Sequence, residues 1–292
     1  MTDGLVAIAS DGLSAAIAPL GAELQWLRDG RGCDLLWHGD PAWWSGRAPI
    51  LFPIVGALAG DRFAHRGRSY RLPKHGFARR RRFALADRRP DSATFVLDAD
   101  DETRAAYPFD FRLSVRFTLA GAALTMAATV ENRGAGAMPA SFGFHPALLW
   151  PLPYGGARAA HGIRFAAAEP DPVRRIDSAG LLRPEPLPTP VAGDRLALDD
   201  TLFEEDALIF DRLRSRTLRY GAPGAGELEI AFEDLPHLGV WTKPGAPYLC
   251  IEPWQGLADP QGFAGELADK PGVVRIAPGD ARAFTMRLAL TV

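Results

Sequence analysis

The chain has 292 residues, 47% hydrophobic and 23% charged, and its 33 basic and 35 acidic side chains give a formal net charge of −2. This composition excludes a disordered or fibrous chain, and the charge balance excludes an overall field that would gather the protein onto nucleic acid or an anionic membrane. A chain of this length buries about 75% of its unfolded surface, with a radius of gyration of roughly 19 Å as one compact unit, so stability requires neither metal nor disulfide.

From the N-terminus, Met1 to Ser10 carries Asp3 and lacks the basic stretch and apolar core of a signal peptide, so cytoplasmic residence is the expectation. Strand-like segments follow at Leu5–Ala9, Leu13–Ala18 and Ala22–Leu27, divided by turn signals at Asp11-Gly12 and Asp29-Gly30. The uncharged run Ala48 to Gly60 is shorter than the ~20 residues of a membrane span and reads as buried core. In Lys74-His75-Gly76-Phe77-Ala78-Arg79, the glycine beside the imidazole permits close approach of another group. The arginine run 79–82 reads as a solvated face, the sharper alternative being that Arg79 and Arg47 grip a phosphate with their forked donors.

Strict alternation marks Leu113, Val115, Phe117 and Leu119, then Leu124, Met126, Ala128 and Val130, as two half-buried strands joined at Gly121-Ala122. The pattern returns at Phe284, Met286, Leu288 and Leu290. Further strands are expected at Thr94–Leu97, Leu228–Phe232, Leu238–Thr242 and Tyr248–Glu252, with no competing long amphipathic helix. Many short strands without alternating helices predict an all-β fold, a large antiparallel β-sandwich. The stretch from Pro151 to Pro190, rich in Pro, Gly and Asp, is taken as an excursion of one domain spanning 1–292 rather than as a linker.

His145, in Phe142-Gly143-Phe144-His145-Pro146, has aromatic neighbours that would partly desolvate it; taken alone, such a histidine is more often a hydrogen-bonded core residue than a catalyst. Glu252 lies in Tyr248-Leu249-Cys250-Ile251-Glu252-Pro253-Trp254, at the expected end of a strongly apolar strand. A carboxylate there is costly unless paired or used, and desolvation would make it a better proton acceptor near neutral pH. Cys33 and Cys250 are far apart, match no metal-ligand spacing and read as reduced thiols.

Three blocks together resemble the aldose 1-epimerase family in its bacterial branch: Trp43-Trp44 through Arg47-Ala48-Pro49 to Gly56, leading to His75-Gly76-Phe77-Ala78-Arg79; Gly143-Phe144-His145-Pro146; and Cys250-Ile251-Glu252-Pro253-Trp254, followed by Gly256, Asp259 and Lys270-Pro271-Gly272. The resemblance implies a galactose mutarotase-like supersandwich with its site in a groove across the sheet. It implies an isomerase in which His145 is general acid and Glu252 general base, while His75, Arg47 and Asp206 hold the sugar. Trp241 and Trp254 are candidates either to stack on a sugar face or to fill core. No cofactor and no metal is called for, and the expected partner is a sugar or sugar phosphate, bound by a monomer or homodimer. Hexose-6-phosphate mutarotases carry a similar histidine-to-arginine element, but show a more glycine-rich stretch where this chain has Arg47-Ala48-Pro49. A non-catalytic carbohydrate-binding or sensor protein using the same groove is the alternative, and a glycoside hydrolase or lyase would need a second carboxylate across the scissile bond.

Overall fold

The computed structural model describes residues 4–291. Two antiparallel sheets carry the architecture. The larger has nine strands, in the spatial order Arg195–Ala197, Gly162–Phe165, Thr217–Gly221, Glu227–Glu233, Ala281–Thr291, Ala123–Asn132, Phe111–Ala120, Ser92–Asp98 and Ala84–Arg88. Its centre is the hairpin expected at Gly121-Ala122, where Ala120 pairs with Ala123 and the positive φ of Gly121 (54°) turns the chain in two residues. Alternate residues of Phe111–Ala120 are buried, as the period-two pattern requires.

The smaller sheet has the order Leu208–Phe210, His237–Trp241, Tyr248–Gln255, Phe142–Phe144 and Ile50–Leu51, with Ala147–Leu149 also pairing onto Tyr248–Gln255. One face packs on the nine-stranded sheet: Phe142, Phe144, Leu238, Val240, Leu249 and Ile251 join the core shared with Val115, Met126 and Phe284. The Phe142 ring stacks on that of Phe284 at 5.1 Å. The opposite face takes the alternate residues. Cys250 and Tyr248 cluster with Trp37, and Trp254 packs with Leu51, Val55 and Leu257. A strand covered on both faces reads as a continuous apolar run, which is why Tyr248–Gln255 looks so unlike Phe111–Ala120.

One expectation changes here. The strand expected to stop at Glu252 runs on to Gln255, because Pro253, although it donates nothing to the ladder, still pairs opposite Leu238. Glu252 is therefore inside the strand rather than at its end. The segment 151–190 adds the strand Gly162–Phe165 to the nine-stranded sheet and buries Val173, Ile176 and Leu182. Residues 48–58 are buried throughout. Among the described residues the one α-helix is Asp101–Ala106, and no helix is long and apolar enough to cross a membrane.

Below the smaller sheet, Lys270 and Asp259 form a buried ion pair at 3.0 Å. Lys270 Nζ also donates to the Leu257 carbonyl at 2.7 Å, and Asp259 accepts from the Ala59 amide at 2.9 Å. The pair thus ties residues 257–259 to the 57–59 turn. Replacing one partner strands the other's charge, so Lys270→Met is expected to cost about 3–5 kcal/mol in urea unfolding, whereas the apolar double variant Asp259→Leu/Lys270→Met recovers much of it. Equal losses in single and double variants would contradict this account.

Candidate active site

The outer face of the smaller sheet opens into a cavity of about 250 Å³ lined by Glu252, His145, His75, Arg79, Asp206 and Trp241, and also by Trp44, Lys74 and Trp254. The volume suits a ligand smaller than most drug-sized molecules.

Strand register creates its centre. Phe142 pairs with Gln255 and Gly143 with Trp254, and beyond Pro146 the pairing resumes with Ala147 opposite Cys250. Counting inward from both sides sets His145 directly across from Glu252. Such cross-strand neighbours hold their Cβ atoms about 4.5–5.5 Å apart, and His145 Nε2 indeed lies 3.2 Å from Glu252 Oε2. The other neighbour of Glu252 across the sheet is Gly239. A Cβ on Gly239 would meet the Trp254 ring at 2.3 Å, and one on Gly143 would meet it at 2.6 Å. The indole therefore lies across two glycines and floors the cavity. Trp44 stacks on the His145 ring (centroids 5.0 Å apart, planes at 27°), and Trp241 meets the same ring edge-on at 6.2 Å.

This enclosure sets the protonation states. Glu252 is 2% exposed and His145 7%. Burial pushes the Glu252 carboxyl well above the usual carboxylate range, opposed by the Lys74 ammonium and reinforced by Asp206. Burial pushes the His145 imidazole down to about 3. Both shifts favour the uncharged forms, a carboxyl facing a neutral imidazole across 3.2 Å.

His75 sits at φ 67°, a conformation rare for a residue with a side chain. Its Nδ1 accepts from the Gly56 amide at 3.1 Å, which fixes the neutral tautomer and leaves Nε2–H as a donor in a ring that lines the cavity. Burial, with His145 and Lys74 nearby, holds the imidazole well below its ordinary range and keeps it neutral. The close approach permitted by Gly76 is to the Phe52 carbonyl, which a Cβ would meet at 2.2 Å. Asp206 is likewise strained, at φ 66°. Its loop is gripped by buried Arg175, whose guanidinium donates to the carbonyls of Asp206 (2.6 Å) and Leu202 (2.7 Å).

Arg47 is the exception among the expected residues. Its guanidinium donates to the Gln25 carbonyl at 2.7 Å, its amide donates to Glu23, and it does not line the cavity, so it braces the neighbouring sheet instead of facing a sugar. The arginine run divides: Arg79 lines the cavity and donates to the Lys74 carbonyl, Arg81 pairs with Asp100 and Glu102, and Arg80 and Arg82 are exposed. Trp44, Lys74 and Arg175 were not singled out by sequence. The Trp43-Trp44 pair and the place of Lys74 directly before His75 are usable signals for the first two, whereas nothing local marks Arg175.

Comparison with known proteins agrees with this architecture. Residues 4–222 match the family model described as Aldose 1-epimerase; Trp241 and Glu252 lie beyond that match. The chain is similar to the chromosomal protein LacX of Lactococcus lactis, 34% identical over 280 residues that cover 92% of this chain and 93% of LacX. Two solved structures are also similar. A galactose mutarotase-like protein from Lactobacillus casei has a TM-score of 0.91 at 27% identity, covering 99% of this chain and 100% of that one. A galactose mutarotase related enzyme from Lactobacillus acidophilus has a TM-score of 0.89 at 28% identity, covering 99% and 97%.

Because the Trp254 ring occupies the space above Gly239, Gly239→Ala is expected to displace the indole and cost about 1–3 kcal/mol through overpacking. The checks are a lowered thermal midpoint and an altered near-ultraviolet circular dichroism spectrum. An unchanged spectrum would mean that the slot is not tight.

Proposed function

Because the chain belongs to the aldose 1-epimerase family, we propose that it interconverts the α and β anomers of an aldose or aldose phosphate by acid–base opening of the sugar ring. The observation that carries this reading is the 3.2 Å contact between His145 and Glu252. Anomer exchange acts on two oxygens attached to one carbon, the anomeric hydroxyl and the ring oxygen. An acid and a base that stand side by side can serve both.

Sugar hydroxyls entering the cavity solvate the carboxylate, and Lys74 favours its charged form, so the carboxyl proton passes from Glu252 to His145. The Glu252 carboxylate then takes the proton of the anomeric hydroxyl while His145 gives its proton to the ring oxygen. The bond from the anomeric carbon to the ring oxygen breaks, leaving an open-chain aldehyde. After rotation about the adjacent carbon–carbon bond, the ring hydroxyl adds to the other face. His145 recovers its proton from that hydroxyl and Glu252 returns the other to the aldehyde oxygen. The pair begins and ends with one proton, and each transfer contributes about 10²–10⁴-fold. His75 Nε2–H is a neutral donor for a substrate oxygen, and Asp206 an acceptor for a hydroxyl. Trp241 and Trp254 supply apolar faces. Lys74 and Arg79, both cationic and both lining the cavity, favour a substrate carrying an anionic group such as a phosphate.

Exchange NMR over free aldoses and their 6-phosphates tests this. Glu252→Gln and His145→Ala are each expected to slow exchange by at least about 10²-fold, and Arg79→Ala to impair phosphorylated sugars selectively. Normal exchange in the first two variants overturns the reading.

The pH dependence has a defined sign. A second proton reaches the pair only near the depressed His145 value of about 3, so kcat/KM is expected to stay level as pH falls through 6.5, the ordinary histidine value. An acid limb centred there would contradict a neutral His145. The raised Glu252 carboxyl stabilises the fold below its unfolded value of 4.5 and loses that contribution as pH rises toward its folded value. Glu252→Gln, although inactive, is therefore expected to unfold at a higher temperature than the parent at pH 8, with the gap narrowing toward pH 4.5.

A further inference from the structure

The fold gives the acid–base pair a third neighbour that no sequence spacing announces. Cys250 and Glu252 are two residues apart on Tyr248–Gln255, so both side chains face the same side of the sheet, and His145 stands across from Glu252. One ligand atom from each of His145, Cys250 and Glu252 lies within 4.8 Å of the other two, and all three residues are buried. With zinc bonds of about 2.3 Å to sulfur and 2.0–2.1 Å to nitrogen or oxygen, tetrahedral ligands stand roughly 3.3–3.6 Å apart. The cluster needs to contract by little more than about 1 Å, within the reach of side-chain rotation.

We propose that His145, Cys250 and Glu252 capture a zinc-class divalent cation, which occupies both members of the acid–base pair and switches the site off reversibly. The donor set selects the ion: thiolate, imidazole and one carboxylate suit zinc or cadmium, whereas magnesium and calcium take oxygen shells. Charge also fits. A thiolate and a carboxylate with a neutral imidazole total −2, so a dication leaves the buried cluster neutral, which avoids the cost of an uncompensated interior charge. Binding requires a thiolate, a carboxylate and a neutral imidazole, so protons held by these groups leave to solvent. Without metal, burial beside Glu252 keeps the thiol protonated, so Cys250 is a silent bystander. His145 and Glu252 line the cavity, which offers a route for the ion and an open fourth position for water. Trp37, Trp44, Trp241 and Tyr248 pack around Cys250 and supply an apolar surround.

The metal-binding arm of the test is independent of the catalytic reading, and the inhibition arm rests on it. Cadmium titrated into the full chain is expected to produce a thiolate-to-metal ultraviolet absorption that saturates at one ion per chain. That band should persist in Cys33→Ser and vanish in Cys250→Ser and Cys250→Ala, two variants that guard against failure of either to fold. Zinc should slow anomer exchange, chelator should restore it, and both Cys250 variants should keep basal exchange while losing roughly 100-fold in zinc sensitivity. A band that survives loss of Cys250, or no saturable band in the parent, overturns the site. If Glu252→Gln leaves exchange normal while the cadmium band holds, the catalytic reading fails and the metal site stands.

Discussion

A carboxyl group sealed inside a sheet is the constraint from which the site follows. Removing one ionised carboxylate from water costs several kcal/mol even after the protein relaxes, and Glu252 has no full counter-charge in contact. The chain sets His145 across the ladder, 3.2 Å from the carboxyl, and the same burial favours the uncharged form of each group. The arrangement is stable only while water is kept out, which explains the company it keeps: Trp44 stacked on the imidazole, Trp254 laid over Gly143 and Gly239, and Trp241 at the edge. Hydroxyls of a bound ligand would restore the missing solvation and let the proton move. The same burial that makes the group expensive makes it responsive.

Around this pair the backbone carries strain. His75 and Asp206, with φ near +67° and +66°, each hold a conformation that costs of order 1–3 kcal/mol, and both border the cavity. Each is restrained by a separate device: Gly56 both accepts from the His75 amide and donates to its imidazole, whereas the Arg175 fork holds the loop beneath Asp206. The buried pair Lys270–Asp259 ties the chain beside Ala258 to the turn that follows Gly56, and so supports the His75 side of the cavity from below. Rigid neighbours thus hold donor and acceptor groups where local preference would not.

Period-two alternation exposed the nine-stranded sheet, because Phe111–Ala120 and Ala123–Asn132 have one wet face and one dry face. Tyr248–Gln255 is dry on both, so its pattern revealed burial but not which residues face the site. Glu252 was conspicuous because a carboxylate in an apolar run is anomalous in itself, whereas His145 gained meaning only from the family resemblance. Strand register, which joins the two, depends on pairing across about a hundred residues and leaves no local mark. Arg47 shows the converse: a residue beside an informative motif whose side chain turns to the Gln25 carbonyl. Arg175 contributes through position alone.

Along Tyr248–Gln255, Leu249 and Ile251 belong to the core while Cys250, Glu252 and Trp254 belong to the other face. Structural and chemical duties are therefore interleaved residue by residue. Substitution can revise one series without disturbing the other, so ligand preference is free to drift while the sandwich stays intact. A one-residue insertion or deletion has no such freedom: it would exchange the two series at a stroke, turning Glu252 toward the core and Ile251 or Pro253 toward the cavity. For this strand, evolution and protein engineering alike are confined to changes of letter at constant length.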